Sequence, residues 1–141
     1  MAQVKLERLS VGGMGVNCYI LENPETRQCL VVDPGDEAER ILAQVGDRRV
    51  AAVLLTHGHF DHMGAVDAVC AATGAPLYVH SGDVNKLTDP HANVSGIFGE
   101  PLTVRTPAIP LEDGDVVEAA GFPLRVMNTP GHTNGCVCYL L

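Results

Sequence analysis

The stretch Thr56-His57-Gly58-His59-Phe60-Asp61-His62 places three histidines and one aspartate within six positions. Neutral imidazole nitrogen and carboxylate oxygen are ligands that zinc, iron and manganese accept. His57 and His59 stand one residue apart, so in an extended loop both rings can point the same way and hold one ion. His132, in the later stretch Thr129-Pro130-Gly131-His132-Thr133-Asn134-Gly135, can supply a third nitrogen. Three imidazoles leave a fourth position open for water, the arrangement of a catalytic rather than a structural zinc site. A metal-bound water ionises near neutral pH and becomes a nucleophile. Asp61 and His62 come one turn later and would begin a second site, the two ions sharing the hydroxide, and Asp61 can also orient or deprotonate that water. The competing reading is structural: histidines that cap a helix, or an Asp-His pair held by hydrogen bonds.

Such ligands need rigid supports. The run Val50-Ala51-Ala52-Val53-Leu54-Leu55 directly precedes the loop; it is apolar on both faces, which predicts a central strand in a sheet covered on both sides. After the loop, Ala65, Val66, Val69 and Ala72 recur at helical spacing up to Gly74, which predicts one helix opening near Asp61. The histidine loop is thus a strand-to-helix junction. His132 repeats the device, following the strand Leu124–Met127 in a loop stiffened by Pro130 and Gly131.

The rest of the chain reads as short elements. Val4, Leu6 and Leu9 fit a first strand and Val16 to Leu21 a second, joined by Gly12-Gly13-Met14-Gly15. That glycine-rich tip is not a phosphate cradle, because a strand and not a helix follows it. Cys29 to Val32 forms a strand ending in Asp33-Pro34-Gly35, and a helix starts at about Asp36, with Asp36 and Glu39 as a capping box and Gly46 as its stop. Pro76 to His80 reads as a strand, with His80 structural, and Ser81 as the cap of a short helix to about Leu87. Thr88 to Thr103 shows no periodicity, as in a lid or binding loop, so His91, Asn93 and Ser95 are substrate-contact candidates against a plainly solvated surface. Val116–Ala119 and Pro123–Met127 pair around Gly121, and a last strand runs from Cys136 to Leu141.

Composition bounds the partners. The 141 residues make one domain, 46% apolar, with a net charge of -8 and no run of lysine or arginine. Nucleic acid and anionic membranes need a basic footprint, so small molecules are the expected ligands. No apolar run approaches a membrane span, and the reading is cytoplasmic. The five cysteines contain no Cys-x-x-Cys pair and read as small buried hydrophobes, with Cys136 and Cys138 on one side of a strand as an alternative soft-metal pair.

The motifs carry a resemblance. Thr56-His57-Gly58-His59-Phe60-Asp61-His62 resembles the Thr-His-x-His-x-Asp-His signature of the metallo-β-lactamase superfamily, and Pro130-Gly131-His132-Thr133 resembles its next motif. Asn17-Cys18-Tyr19 and Asp33-Pro34-Gly35 are similar to its early strands. Within the superfamily the chain is most similar to the glyoxalase II-like branch, the hydroxyacylglutathione hydrolases. The resemblance implies an α/β fold, the N-terminal part of the αββα sandwich, with a mixed sheet and covering helices. It implies His57, His59 and His132 at a first metal, Asp61 and His62 at a second, and zinc as the metal, with iron or manganese as alternatives. Family members continue past this point with a bridging aspartate and a further histidine, so half of the sandwich is expected to be missing. The sheet face left exposed would suit a partner chain or a homo-oligomer.

The resulting expectation is a metal-dependent thioester hydrolase in which metal-bound hydroxide attacks the carbonyl of a substrate such as hydroxyacylglutathione. Two alternatives stand beside it: a metal-binding but inactive truncated module that needs a partner chain, and a mononuclear-iron enzyme resembling persulfide dioxygenases. A β-lactamase proper is disfavoured because those are usually exported. The flavodiiron branch is disfavoured because it places glutamate where His59 stands.

Overall fold

The computed structural model describes residues 4–13, 15–58, 60–89, 93, 103–129 and 136–140. A six-stranded mixed sheet forms its centre, in the order β1 (Lys5–Val11), β2 (Val16–Asn23), β3 (Gln28–Val32), β4 (Arg49–Leu54), β5 (Leu77–His80) and β6 (Ala108–Leu111). The first three strands pair antiparallel, and β3 through β6 run parallel. Parallel neighbours need a crossover: α1 (Ala38–Val45) joins β3 to β4, and α2 (Phe60–Met63) with α3 (Val66–Thr73) joins β4 to β5. A second, antiparallel sheet holds β7 (Val116–Ala119), β8 (Phe122–Asn128) and β9 (Val137–Leu140).

Period-two alternation divides the central strands between two cores. Cys29, Val31, Val53 and Leu55 pack with Ile41, Val66 and Val69 on the helical side. Leu30, Val32, Ala52 and Leu54 pack against Phe122, Leu124, Val126 and Val137 of the second sheet. The β4 strand is therefore covered on both faces, as its unbroken apolar run requires. Both sheets of the sandwich are present, which is more than the half-sandwich the resemblance leads one to expect. The outer side of the second sheet exposes Val116, Met127 and Leu140, and no helix follows β9 among the described residues.

Several local readings need correction. The helix expected from Asp61 to Gly74 is broken after Met63, because the Ala65 N–H donates to Pro34 O at 2.9 Å instead of continuing the helical ladder. No capping box forms on α1: Glu37, at a φ of 57°, is the cap, and the Asp36 side chain accepts only the Glu37 N–H, at 2.7 Å. The segment Ser81–Leu87 is a 3₁₀ helix whose cap is His80, not Ser81; His80 Nδ1 accepts the Gly82 N–H at 2.9 Å. The sequence reading passes over β6, a four-residue edge strand with Pro110 inside it. Cys18, Cys29 and Cys70 are buried, Cys136 is half-buried and Cys138 is exposed, so the buried-hydrophobe reading fails for the last. No helix among the described residues is long and apolar enough to cross a membrane.

Candidate metal centre

The site is built where β3 and β4 end side by side. The Asp33 N–H donates to Leu54 O at 2.9 Å, and Asp33 takes a φ of 55°, a left-handed conformation that aspartate tolerates better than most residues. From there its buried carboxylate reaches three donors. Oδ1 accepts the Thr56 N–H at 2.8 Å, and Oδ2 accepts the Thr56 hydroxyl at 2.6 Å and faces His62 Nδ1 at 2.9 Å. One side chain thereby joins the end of β3, the start of the histidine loop and α2.

These bonds fix two tautomers. A carboxylate has no proton to give, so His62 Nδ1 is the donor toward Asp33, and in the neutral ring Nε2 carries the lone pair. The single Thr56 hydroxyl proton goes to Asp33, so the contact of 3.2 Å between Thr56 Oγ1 and His57 Nδ1 has the imidazole as donor, which makes His57 Nε2 the acceptor nitrogen. A histidine whose far nitrogen is tied to a carboxylate or another polar group in this way is prepared for a metal.

His57, Asp61 and His62 each offer one ligand atom, and these atoms lie within 4.8 Å of one another. The His57 and His62 rings are 3.8 Å apart between centroids at 53°, and His62 Nε2 lies 3.7 Å from Asp61 Oδ2. Burial pulls the His62 pKa down, but the hydrogen bond and charge of Asp33, and then the charge of Asp61, outweigh it and leave it raised. A site that draws a proton to His62 presents the same negative potential to a cation, and metal binding displaces that proton. Two imidazole nitrogens and a carboxylate oxygen suit zinc, iron or manganese, so the residues fit the ion the motif implies.

The second sheet locks onto this edge. Tyr139 donates its hydroxyl to Leu55 O at 2.5 Å, and the Val137 N–H donates to Thr56 O at 2.8 Å. The Thr129 N–H bonds to Cys136 O at 2.8 Å. His59, His132, His91 and Ser95 themselves lie outside the described residues. Asn93 is fully buried and donates its amide to Lys86 O at 2.8 Å, so it faces the protein and not an open surface. The sequence assigns His57 to a first metal and Asp61 and His62 to a second, whereas here the ligand atoms of all three lie together; Asp33, which holds Thr56 and His62, was not among the expected site residues, and its signal was an Asp-Pro-Gly terminating the strand beside β4.

The chain matches the metallo-beta-lactamase superfamily over residues 11–141. It is 37% identical over 139 residues to the probable metallo-hydrolase YqgX of Bacillus subtilis (strain 168), covering 96% of this chain and 65% of that protein. It is 35% identical over 123 residues to a hydroxyacylglutathione hydrolase of Ectopseudomonas mendocina (strain ymp), covering 86% of this chain and 40% of the relative. Among solved structures, the BLEG-1 B3 metallo-beta-lactamase superposes with a TM-score of 0.89 at 34% identity, over 96% of this chain and 66% of that one. TTHA1623 in a di-iron-bound form superposes with a TM-score of 0.79 at 33% identity, over 95% and 66%. The chain thus spans between two fifths and two thirds of the length of these proteins. With residues 11–141 inside the match and the fold in agreement, this chain belongs to the metallo-beta-lactamase superfamily.

Proposed function

We propose that this chain carries the metal-binding part of a hydrolase that cleaves thioesters of the hydroxyacylglutathione type. The observation that supports this most is the convergence of His57, Asp61 and His62, with two ring tautomers set by Thr56 and Asp33. His57, Asp61 and His62, together with His59 and His132 from the motifs, would hold the metal. When bound, such an ion supplies Lewis acidity, lowering the pKa of a water and stabilising negative charge on a carbonyl oxygen. Asp61, at the mouth of α2, orients the attacking water and takes up its proton. Asp33 keeps His62 in one tautomer throughout. Water adds to the thioester carbonyl, the carbon–sulfur bond breaks, and the thiol leaves with the proton. The hydroxyacylglutathione hydrolases among its relatives support this substrate class.

Loss of thioester absorbance in S-lactoylglutathione, with zinc, iron or manganese supplied, tests the reading. Turnover that disappears in His57→Ala supports it; no turnover with any of the three metals contradicts it. A second reading, β-lactam hydrolysis, draws support from the likeness to the BLEG-1 enzyme. A chromogenic cephalosporin in the same assay separates the two.

A further inference from the structure

The loop that presents His57 is held from a second side. The Gly58 N–H donates to Asp83 Oδ2 at 2.7 Å, and Asp83, in the 3₁₀ helix Ser81–Leu87, has no solvent exposure. The other oxygen of that carboxylate, Oδ1, receives Lys86 Nζ at 3.0 Å. A buried carboxylate is costly unless it is paired and hydrogen-bonded, and Lys86 with Gly58 supplies both. The approach is close: a Cβ on Gly58 would lie 2.8 Å from Lys86 Cβ and 3.2 Å from Asp83 O. Glycine is needed here for proximity and not for an unusual φ. On the opposite side of His57, the Thr56 N–H is held by Asp33. The amides flanking His57 are therefore each bound by a buried carboxylate from a different element. Asp33 also serves His62.

We propose that Asp83, neutralised by Lys86, is a positioning residue for the metal centre, holding the Gly58 amide so that the backbone presents His57 to the ion. This rests on the metal-centre reading above. A residue that orients metal ligands typically changes metal affinity by 10- to 100-fold when removed, and Asp83, acting through backbone, belongs at about 10-fold.

The test compares wild type, Asp83→Ala, Asp83→Asn and Lys86→Met with Arg48→Met, whose ion pairs with Glu7 and Glu22 lie away from the histidine loop. Three readouts are taken: zinc and cobalt affinity by competition with a chromogenic chelator, the cobalt ligand-field spectrum, and NMR hydrogen exchange of the Gly58 amide in metal-free protein. Asp83→Ala should bind metal about 10-fold more weakly, shift the cobalt bands and speed Gly58 exchange. Asp83→Asn keeps an acceptor oxygen and should recover most of each. Arg48→Met should lower the thermal midpoint while leaving the spectrum and Gly58 exchange near wild type. Should Asp83→Ala not fold, Lys86→Met carries the test, with the same direction of change expected. Unchanged affinity and spectrum in the variants overturns the proposal, as does Arg48→Met reproducing both changes at an equal loss of thermal midpoint. Wild-type protein that takes up neither zinc nor cobalt sinks the metal-centre reading, and this proposal with it; normal uptake without a response to the Asp83 and Lys86 variants sinks this proposal alone.

Discussion

Asp33 Oδ2 lies 2.9 Å from His62 Nδ1, across a separation of 29 residues, and the same oxygen accepts the Thr56 hydroxyl. A candidate histidine ligand and the loop before it thus share one orienting carboxylate. Asp33→Ala should weaken metal binding by roughly 10- to 100-fold, the range seen when such orienting partners are removed. Asp33→Asn should fall between, since its amide oxygen can still accept from His62 or Thr56. Isothermal titration with zinc checks both, and wild-type affinity in Asp33→Ala would count against the orienting role.

Gly35 faces the backbone of α2 so closely that an added Cβ would overlap the Asp61 carbonyl oxygen. Backbone cannot swing aside as a side chain can. Gly35→Ala should therefore push Asp61 and His62 out of place, at a cost of about 1–3 kcal/mol in stability and with weaker metal binding. Denaturant unfolding with a metal titration reads both effects.

Tyr139 ties the second sheet to β4 by donating its hydroxyl to Leu55 O. Burial, reinforced by the charge of Asp33, pushes the phenol pKa well above its ordinary value, so the hydroxyl keeps its proton. Tyr139→Phe leaves the Leu55 carbonyl without this donor and should cost about 1–3 kcal/mol. Thermal unfolding measures it, and a variant as stable as wild type would remove Tyr139 from this account.

Stability in acid should follow the Arg48 network. The hydrogen bond from Arg48, opposed by burial and assisted by Gln44 and by the charges of Arg48 and Lys5, lowers the Glu7 pKa from 4.5 to about 2. A depressed carboxylate contributes stability that is full above its unfolded pKa and is lost as pH falls through the folded one. The Glu7 contribution should therefore fade between pH 4.5 and about 2. Glu7→Gln should be less stable than wild type at neutral pH, and the gap should narrow across that window. A constant gap from neutral pH down to pH 2 would argue against it.

Much of the site was legible because its chemistry is local. His57, Asp61 and His62 are near neighbours in sequence, and the apolar run before them announces a buried strand without any knowledge of its partners. Asp33 and Asp83 were not legible, since each acts through space on a distant amide; Asp33 reads locally as a turn residue and Asp83 as one residue of a short helix. The same limit hid β6, whose pairing with β5 places Pro110 at a sheet edge with little apolar pattern to mark it. The break between α2 and α3 depends on the Pro34 carbonyl capturing the Ala65 N–H, which helical spacing alone does not reveal. The cap of α1 failed for a related reason: a left-handed Glu37 replaced the side-chain cap that the residue types advertised.

The ligand atoms of His57, Asp61 and His62 lie within 4.8 Å of one another, where one metal ion would sit. Elemental analysis of protein purified without chelator, wild type beside a His57→Ala/His62→Ala double variant, tests it most directly. Wild type should retain about one or two ions of zinc, iron or manganese per chain, and the double variant should retain far less while staying folded. Wild type that holds none after loading with each metal, or a double variant that holds as much as wild type, would contradict the account.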